Sequence, residues 1–201
     1  MALISAKTII TSICLFHLTL GFFFLTNPLT IADQAVVYLL GEAMGLPHAR
    51  SFDAQSPAGA FLGVLLASIG LCDLVTHSLP DDFSDHYWAM QAPLRLTIFF
   101  FLALYTFLFS PSSPLYTPVW NPGSPGGGVT SGRLQHPSAH AHPPAGYAAS
   151  AWGGEGLKNR VFFAFAFVET FSWFWVWVTL TEERGVRAAR KARRRSGYGG
   201  Q

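Results

Sequence analysis

The alternation of apolar and polar positions divides the chain into four long apolar runs with polar segments between them. The runs are TIITSICLFHLTLGFFFLT at 8–26, AGAFLGVLLASIGLCDLVTHSL at 58–79, LRLTIFFFLALYTFLFS at 94–110 and VFFAFAFVETFSWFWVWVTLT at 161–181. The hydrocarbon core of a bilayer is about 30 Å thick, which takes roughly 20 apolar residues to cross as a helix. A helix also satisfies its own backbone polar groups there, where no water can. Each run therefore predicts a spanning α-helix, and the fold class is all-α, an integral membrane bundle of four transmembrane helices. Asn27-Pro28, Pro57, Pro80, Pro93 and Pro111 fence the runs, because proline lacks the N–H that a helix interior needs. On this reading 80–92 is a short link, and spans two and three are antiparallel neighbours.

Two segments between the runs differ in kind. ADQAVVYLLGEAMGLP at 32–47 has too few apolar residues to span. It predicts a short helix ending at Gly45 before Pro47, interfacial or packed on the bundle. Residues 111–156 hold eight Pro and nine Gly. Such a segment buries too little apolar surface to offset its ordering entropy, and reads as a disordered loop. The first run has a second reading as a cleaved signal with its site after Ala32. Its apolar core is long for a signal, which favours a retained helix. The chain thus divides into a four-span membrane domain over 1–184 and a basic tail over 185–201.

Charge sharpens the picture. Only 12% of residues are charged, about half the share of a soluble domain, so the chain lacks the polar surface to cover itself in water. Seven of the thirteen basic residues fall within 184–195. Basic residues flanking spans favour the cytosol. The C-terminus is therefore expected there, with the N-terminus and the 80–92 link beside it and the Pro/Gly loop opposite; Lys158 and Arg160 pull the other way. The tail's expected partners are membrane lipids through anionic headgroups, each basic residue contributing about 1 kcal/mol near such a surface. Other membrane proteins are candidate partners. No nucleic acid is expected, since no folded binding module accompanies the charge.

The polar residues inside the runs carry the candidate chemistry. Gly59, Gly63, Leu66, Gly70, Asp73 and His77 are spaced by three or four and share about 80° of helix arc. The glycines predict a close helix contact, and Asp73 and His77 point to the same inward face. Asp73 falls about 9 Å below the end of its span and Arg95 about 3 Å into the next, so an ion pair is within reach. Pairing would relieve part of the roughly 2.5–3.5 kcal/mol that a lone charge at mid-helix costs. Glu169 lies mid-span, at a depth similar to His17, and the two can meet across the bundle; alternatively Glu169 is protonated. Helix packing, a ligand or ion site, and catalysis are all open for these residues, with packing first. Trp173, Trp175 and Trp177 read as interfacial anchors. Cys14 and Cys72 read as small buried hydrophobes, which excludes a disulfide framework and a cysteine zinc site. His136, His140 and His142 have no acidic or Cys partner nearby and read as loop residues. No phosphate-binding, dinucleotide-binding, zinc-protease or nucleophile-elbow motif occurs. No catalytic residue, cofactor or metal is therefore assigned, and a non-enzymatic protein leads, ahead of a lipid-, small-molecule- or ion-handling bundle built around Asp73, Arg95, Glu169 and His17, with a membrane enzyme third.

Several stretches, in order, resemble one family. MALIS, FHLTLGFFFLTNPLTIADQ, VYLLGEAMGLP, GLCDL, QAPLRL, FLFSPSSPLY, LKNRVFF and WFWVWVTLTEER are similar to the fungal increased loss of mitochondrial DNA protein family. The resemblance covers roughly 1–117 and 155–184 and leaves out the Pro/Gly loop and the basic tail. It implies a small multispan protein of the endoplasmic reticulum membrane whose loss impairs maintenance of the mitochondrial genome. It implies no catalytic residues and no cofactor.

Overall fold

The computed structural model describes residues 4–110 and 153–198, excluding the side chains of Asp81, Asp82, Lys191 and residues 194–198. Among these residues the secondary structure is helical throughout. In order come α1 (Ala6–Thr26), α2 (Leu29–Ala32), α3 (Ala35–Ala43), a 3₁₀ turn (Arg50–Phe52), α4 (Pro57–His77), α5 (Asp81–Leu108), a second 3₁₀ turn (Gly153–Leu157) and α6 (Arg160–Tyr198). Helices α1, α4, α5 and α6 are long and apolar enough to cross a membrane. Two begin on serine caps: the Ser5 side chain accepts from the Thr8 amide, and Ser56 from that of Gly59, with Pro57 in the first turn of α4. Large apolar side chains such as Phe61, Val75 and Phe83 face outward, as hydrocarbon surroundings require.

Helices α1 and α4 form one closely packed pair, α5 and α6 form another, and α1 joins the pairs by packing on α6. Glycine sets the α1–α4 distance. A Cβ on Gly21 would lie 2.7 Å from the Gly63 carbonyl oxygen, and one on Gly70 would lie 2.9 Å from that of Cys14. The core has two ends. Ile10, Cys14, Trp88, Trp173 and Leu180 fill one, and Phe24, Ile31, Val37, Leu66 and Val161 fill the other.

Several expectations need correction. The segment 80–92 is no link: α5 starts at Asp81 and continues through Pro93. Ser84, Trp88 and Ala92 recur every fourth residue and are buried, so packing makes the segment helical. Pro93 withholds one amide, a loss that membrane helices tolerate. Although only 78–80 separates them, α4 and α5 pack mainly on other helices. The short helix expected within 32–47 is present as α3 and ends before Gly45, whose φ is 62°; the separate single turn α2 precedes it. The expected disordered loop and its three histidines lie outside the described residues up to 152; beyond them, Gly153–Leu157 forms a 3₁₀ turn. The basic tail continues α6 as helix to Tyr198. Cys14 is buried as expected, but Cys72 is exposed on the outer face of α4.

Candidate functional site: a polar chain across the bundle

Four helices contribute to one buried polar chain. From α1, His17 brings Nε2 to 2.9 Å from Glu169 Oε1 on α6. The other carboxylate oxygen of Glu169 accepts a 2.7 Å hydrogen bond from the indole Nε1 of Trp173, one turn along the same helix. Glu169 is wholly buried. The Trp173 ring stacks on Trp88 of α5, with centroids 5.8 Å apart. Over Trp173, 4.8 Å from its centroid, sits the guanidinium of Arg95. Arg95 donates through both terminal nitrogens to the carboxylate of Asp73 on α4, at 2.5 and 2.8 Å. This planar two-point pairing is the strong form of an arginine–carboxylate contact.

The bonding also bears on the histidine. His17 Nδ1 is buried and has no partner among the described residues. A ring protonated only on Nε2 leaves a lone pair there. Any other form leaves a buried N–H unbonded, which is costlier. The arrangement therefore fits a His17 ring whose Nε2–H donates to Glu169 Oε1; this tautomer is assigned from the bonding.

The structure brings Asp73 to Arg95 and Glu169 to His17. It leaves His77 outside the chain: its Nδ1, at the C-terminal end of α4, is buried with no partner among the described residues. Gly63 and Gly70 lie in the α1–α4 contact. A Cβ on Gly59 would meet only the Oγ of its own cap, Ser56, so Gly59 takes no part in that contact. Trp173 is no interfacial anchor. It is 1% exposed, whereas Trp175 and Trp177 are 58% and 43% exposed. Two residues along a helix is a turn of about 200°, so Trp173 points inward where Trp175 points out.

Sequence reasoning missed Trp88, the inward role of Trp173, and Gly21. The signal for Gly21 was present: Ile10, Cys14, His17, Gly21 and Phe24 repeat at intervals of three and four and are all buried. At the far end it also missed Gly41, whose bare backbone seats the Arg160 side chain. Arg160 there donates to the Leu46 carbonyl at 2.7 Å and to Glu42 at 3.2 Å. This ties α3 to the start of α6 and engages one of the two basic residues that opposed the topology. At the opposite end Glu183 accepts from the Ala6 amide at 3.2 Å, and Arg187 pairs with Asp85. The start of α1 and the basic extension of α6 therefore share one end of the bundle.

The bundle also leaves partly open space between its helices. A cavity of about 400 Å³ lies between α1, α3, α4 and α6, walled by residues including Leu20, Phe24, Leu66 and Phe165. A shallower groove between α5 and α6 is lined by Phe100, Phe171 and Trp177 among others. Neither is lined by Glu169, His17, Asp73 or Arg95.

No curated protein and no solved structure matches this chain. A family model does, that of increased loss of mitochondrial DNA protein 1, over residues 4–190. The match takes in the Pro/Gly segment, which the resemblance read from the sequence had left out, and stops inside the basic extension at residue 190. Residues 4–190 are nearly the whole of the 201, and on that match the chain belongs to the increased loss of mitochondrial DNA protein 1 family.

Proposed function

We propose that this protein is a non-enzymatic, multi-pass scaffold of the endoplasmic reticulum membrane that supports mitochondrial DNA maintenance. Its family relates it to that process, and its four apolar helices are those of a membrane protein. The observation that carries the scaffold reading is the closed bonding of Glu169, wholly buried with both oxygens engaged. A buried acid in a membrane is a functional candidate by default. Here the carboxylate is consumed in joining α6 to α1. The termini face the cytosol, and the basic extension of α6 presents its charge to anionic headgroups or to another membrane protein.

Site-specific photocrosslinking from the α6 extension in intact cells tests the scaffold. A stable, stoichiometric protein adduct supports it; labelling of lipid alone argues against it. Co-fractionation with endoplasmic reticulum markers tests the location, and recovery only with mitochondrial membranes would overturn it.

A second reading, a bundle that handles a lipid, ion or small molecule through Asp73, Arg95, Glu169 and His17, draws on the Nδ1 atoms of His17 and His77, which have no partner among the described residues. It requires a path to Glu169 that neither described cavity provides.

A further inference from the structure

The 400 Å³ cavity belongs to neither the polar chain nor the basic extension. Gln34 is the one polar residue among its lining; the others are aliphatic or aromatic. Its long axis follows the bundle. On α1 the lining runs from Phe16, beside His17, down to Phe24, and on α6 from Val168, beside Glu169, back to Val161. Eight residues of helix rise about 12 Å, against about 15 Å for the hydrocarbon of one leaflet. The cavity therefore begins just short of the polar chain at mid-depth and ends among α2, α3 and the 3₁₀ turn that carries Phe52. Gln34 lies at that outer end, where it is exposed, and its amide nitrogen is already bonded to the Thr30 carbonyl. Its carbonyl oxygen is an acceptor at headgroup level.

We infer that this cavity is a binding site for one acyl chain of a membrane phospholipid, taken from the leaflet on the α3 side. Three features select that occupant. The lining offers no polar group at depth, so anything with a buried hydroxyl, amide or charge is excluded on desolvation grounds. Its length matches a single leaflet, so the chain stays aligned with its neighbours while its headgroup remains at the surface. Its walls include the rings of Phe16, Phe52 and Phe162, which give a hydrocarbon chain apolar contact along its length. Ligand pockets in proteins are of this size and mostly apolar. The occupant would bridge α1, α3, α4 and α6 where the polar chain does not reach.

The test uses the full-length protein in nanodiscs of diphytanoyl phosphatidylcholine, whose methyl-branched chains compete poorly for a narrow site, doped with straight-chain phosphatidylcholine carrying a diazirine near the end of one acyl chain. Labelled positions are mapped by mass spectrometry. Labelling at Phe165 and Val168 should saturate as the probe fraction rises, while labelling at the outward-facing Val178 should rise in proportion. Filling the cavity with Ala164→Phe, or separately with Leu66→Trp, should lower the first signal about fivefold and leave the second unchanged. Labelling at Phe165 that never saturates overturns the inference, as does indifference to both substitutions. A diazirine sterol that saturates the site where the acyl probe does not would overturn it equally. If either variant fails to fold, the wild-type saturation curve decides.

Discussion

Glu169 on α6 and His17 on α1 lie 152 positions apart in the chain and share a 2.9 Å hydrogen bond at the middle of the bundle. Packing of α1 on α6 is a direct link between the two helix pairs, and this bond joins the two helices at mid-depth. Polar bonds between membrane helices average about 0.6 kcal/mol and reach about 1.7. A double-mutant cycle with His17→Phe and Glu169→Gln should therefore show a coupling of about 0.5–1.5 kcal/mol in reversible unfolding from mixed micelles. Additive effects would mean that the contact contributes nothing.

The Asp73–Arg95 pair should behave differently, because it holds α4 to α5 where little other packing does. Asp73→Ala leaves the Arg95 guanidinium over two indole rings without its counter-charge. Breaking a buried pair costs about 3–5 kcal/mol; Arg95 keeps 19% of its side chain exposed, so about 2–3 kcal/mol is expected. The double substitution Asp73→Leu with Arg95→Leu should recover much of the loss. Thermal melts of purified protein decide, and a double variant less stable than Asp73→Ala would contradict this ordering.

Glycine substitutions separate the contact between α1 and α4 from simple helix propensity. Gly63→Val should disrupt assembly, since even a Cβ would come within 2.9 Å of the Gly21 carbonyl oxygen. Gly59→Ala, close only to Ser56 Oγ at 3.1 Å, should change stability by under about 1 kcal/mol, the size of the propensity gain. Size-exclusion profiles in detergent report both, and equal damage from the two would contradict the asymmetry.

The basic extension carries a prediction about salt. Helix α6 has 39 residues, about 58 Å, against about 30 Å of hydrocarbon. The helix is therefore about 28 Å longer than one crossing needs, and Arg190 and Arg193 on this extension are exposed. Replacing exposed Arg190 and Arg193 with Glu should weaken flotation of the protein's liposomes with a second, anionic vesicle population, and the wild-type effect should fade as ionic strength shortens the screening length to a few ångströms. Flotation indifferent to salt would show that charge is not the cause.

Much of the bundle was legible because hydropathy and periodicity report burial directly. Asp73 could be matched with Arg95 from helix rise alone, and Glu169 with His17 from depth. Residues 80–92 were misread because proline rules weigh local backbone loss and cannot see Trp88 and Ala92 packing on α6. The three tryptophans of α6 were grouped by composition, although the angle between Trp173 and Trp175 already separated them. The α1–α4 contact was half visible. Its glycines on α4 stood out against a background of leucine, while Gly21 was hidden beside a run of phenylalanines. The cavity left no sequence trace, since it depends on how α2 and α3 fold back over the ends of α1 and α6.

The most direct test of a packing role for Glu169 is to express Glu169→Gln in place of the wild-type chain and follow protein abundance and mitochondrial DNA retention together. Glutamine keeps the shape and an acceptor for Trp173 but has one oxygen, so an amide donor stands where His17 now finds a second acceptor. A packing role predicts that abundance falls and that mitochondrial DNA retention falls with it, both returning when expression is raised. Normal abundance with retention lost, unrescued by overexpression, would contradict it and make Glu169 a working group of a binding or transport site.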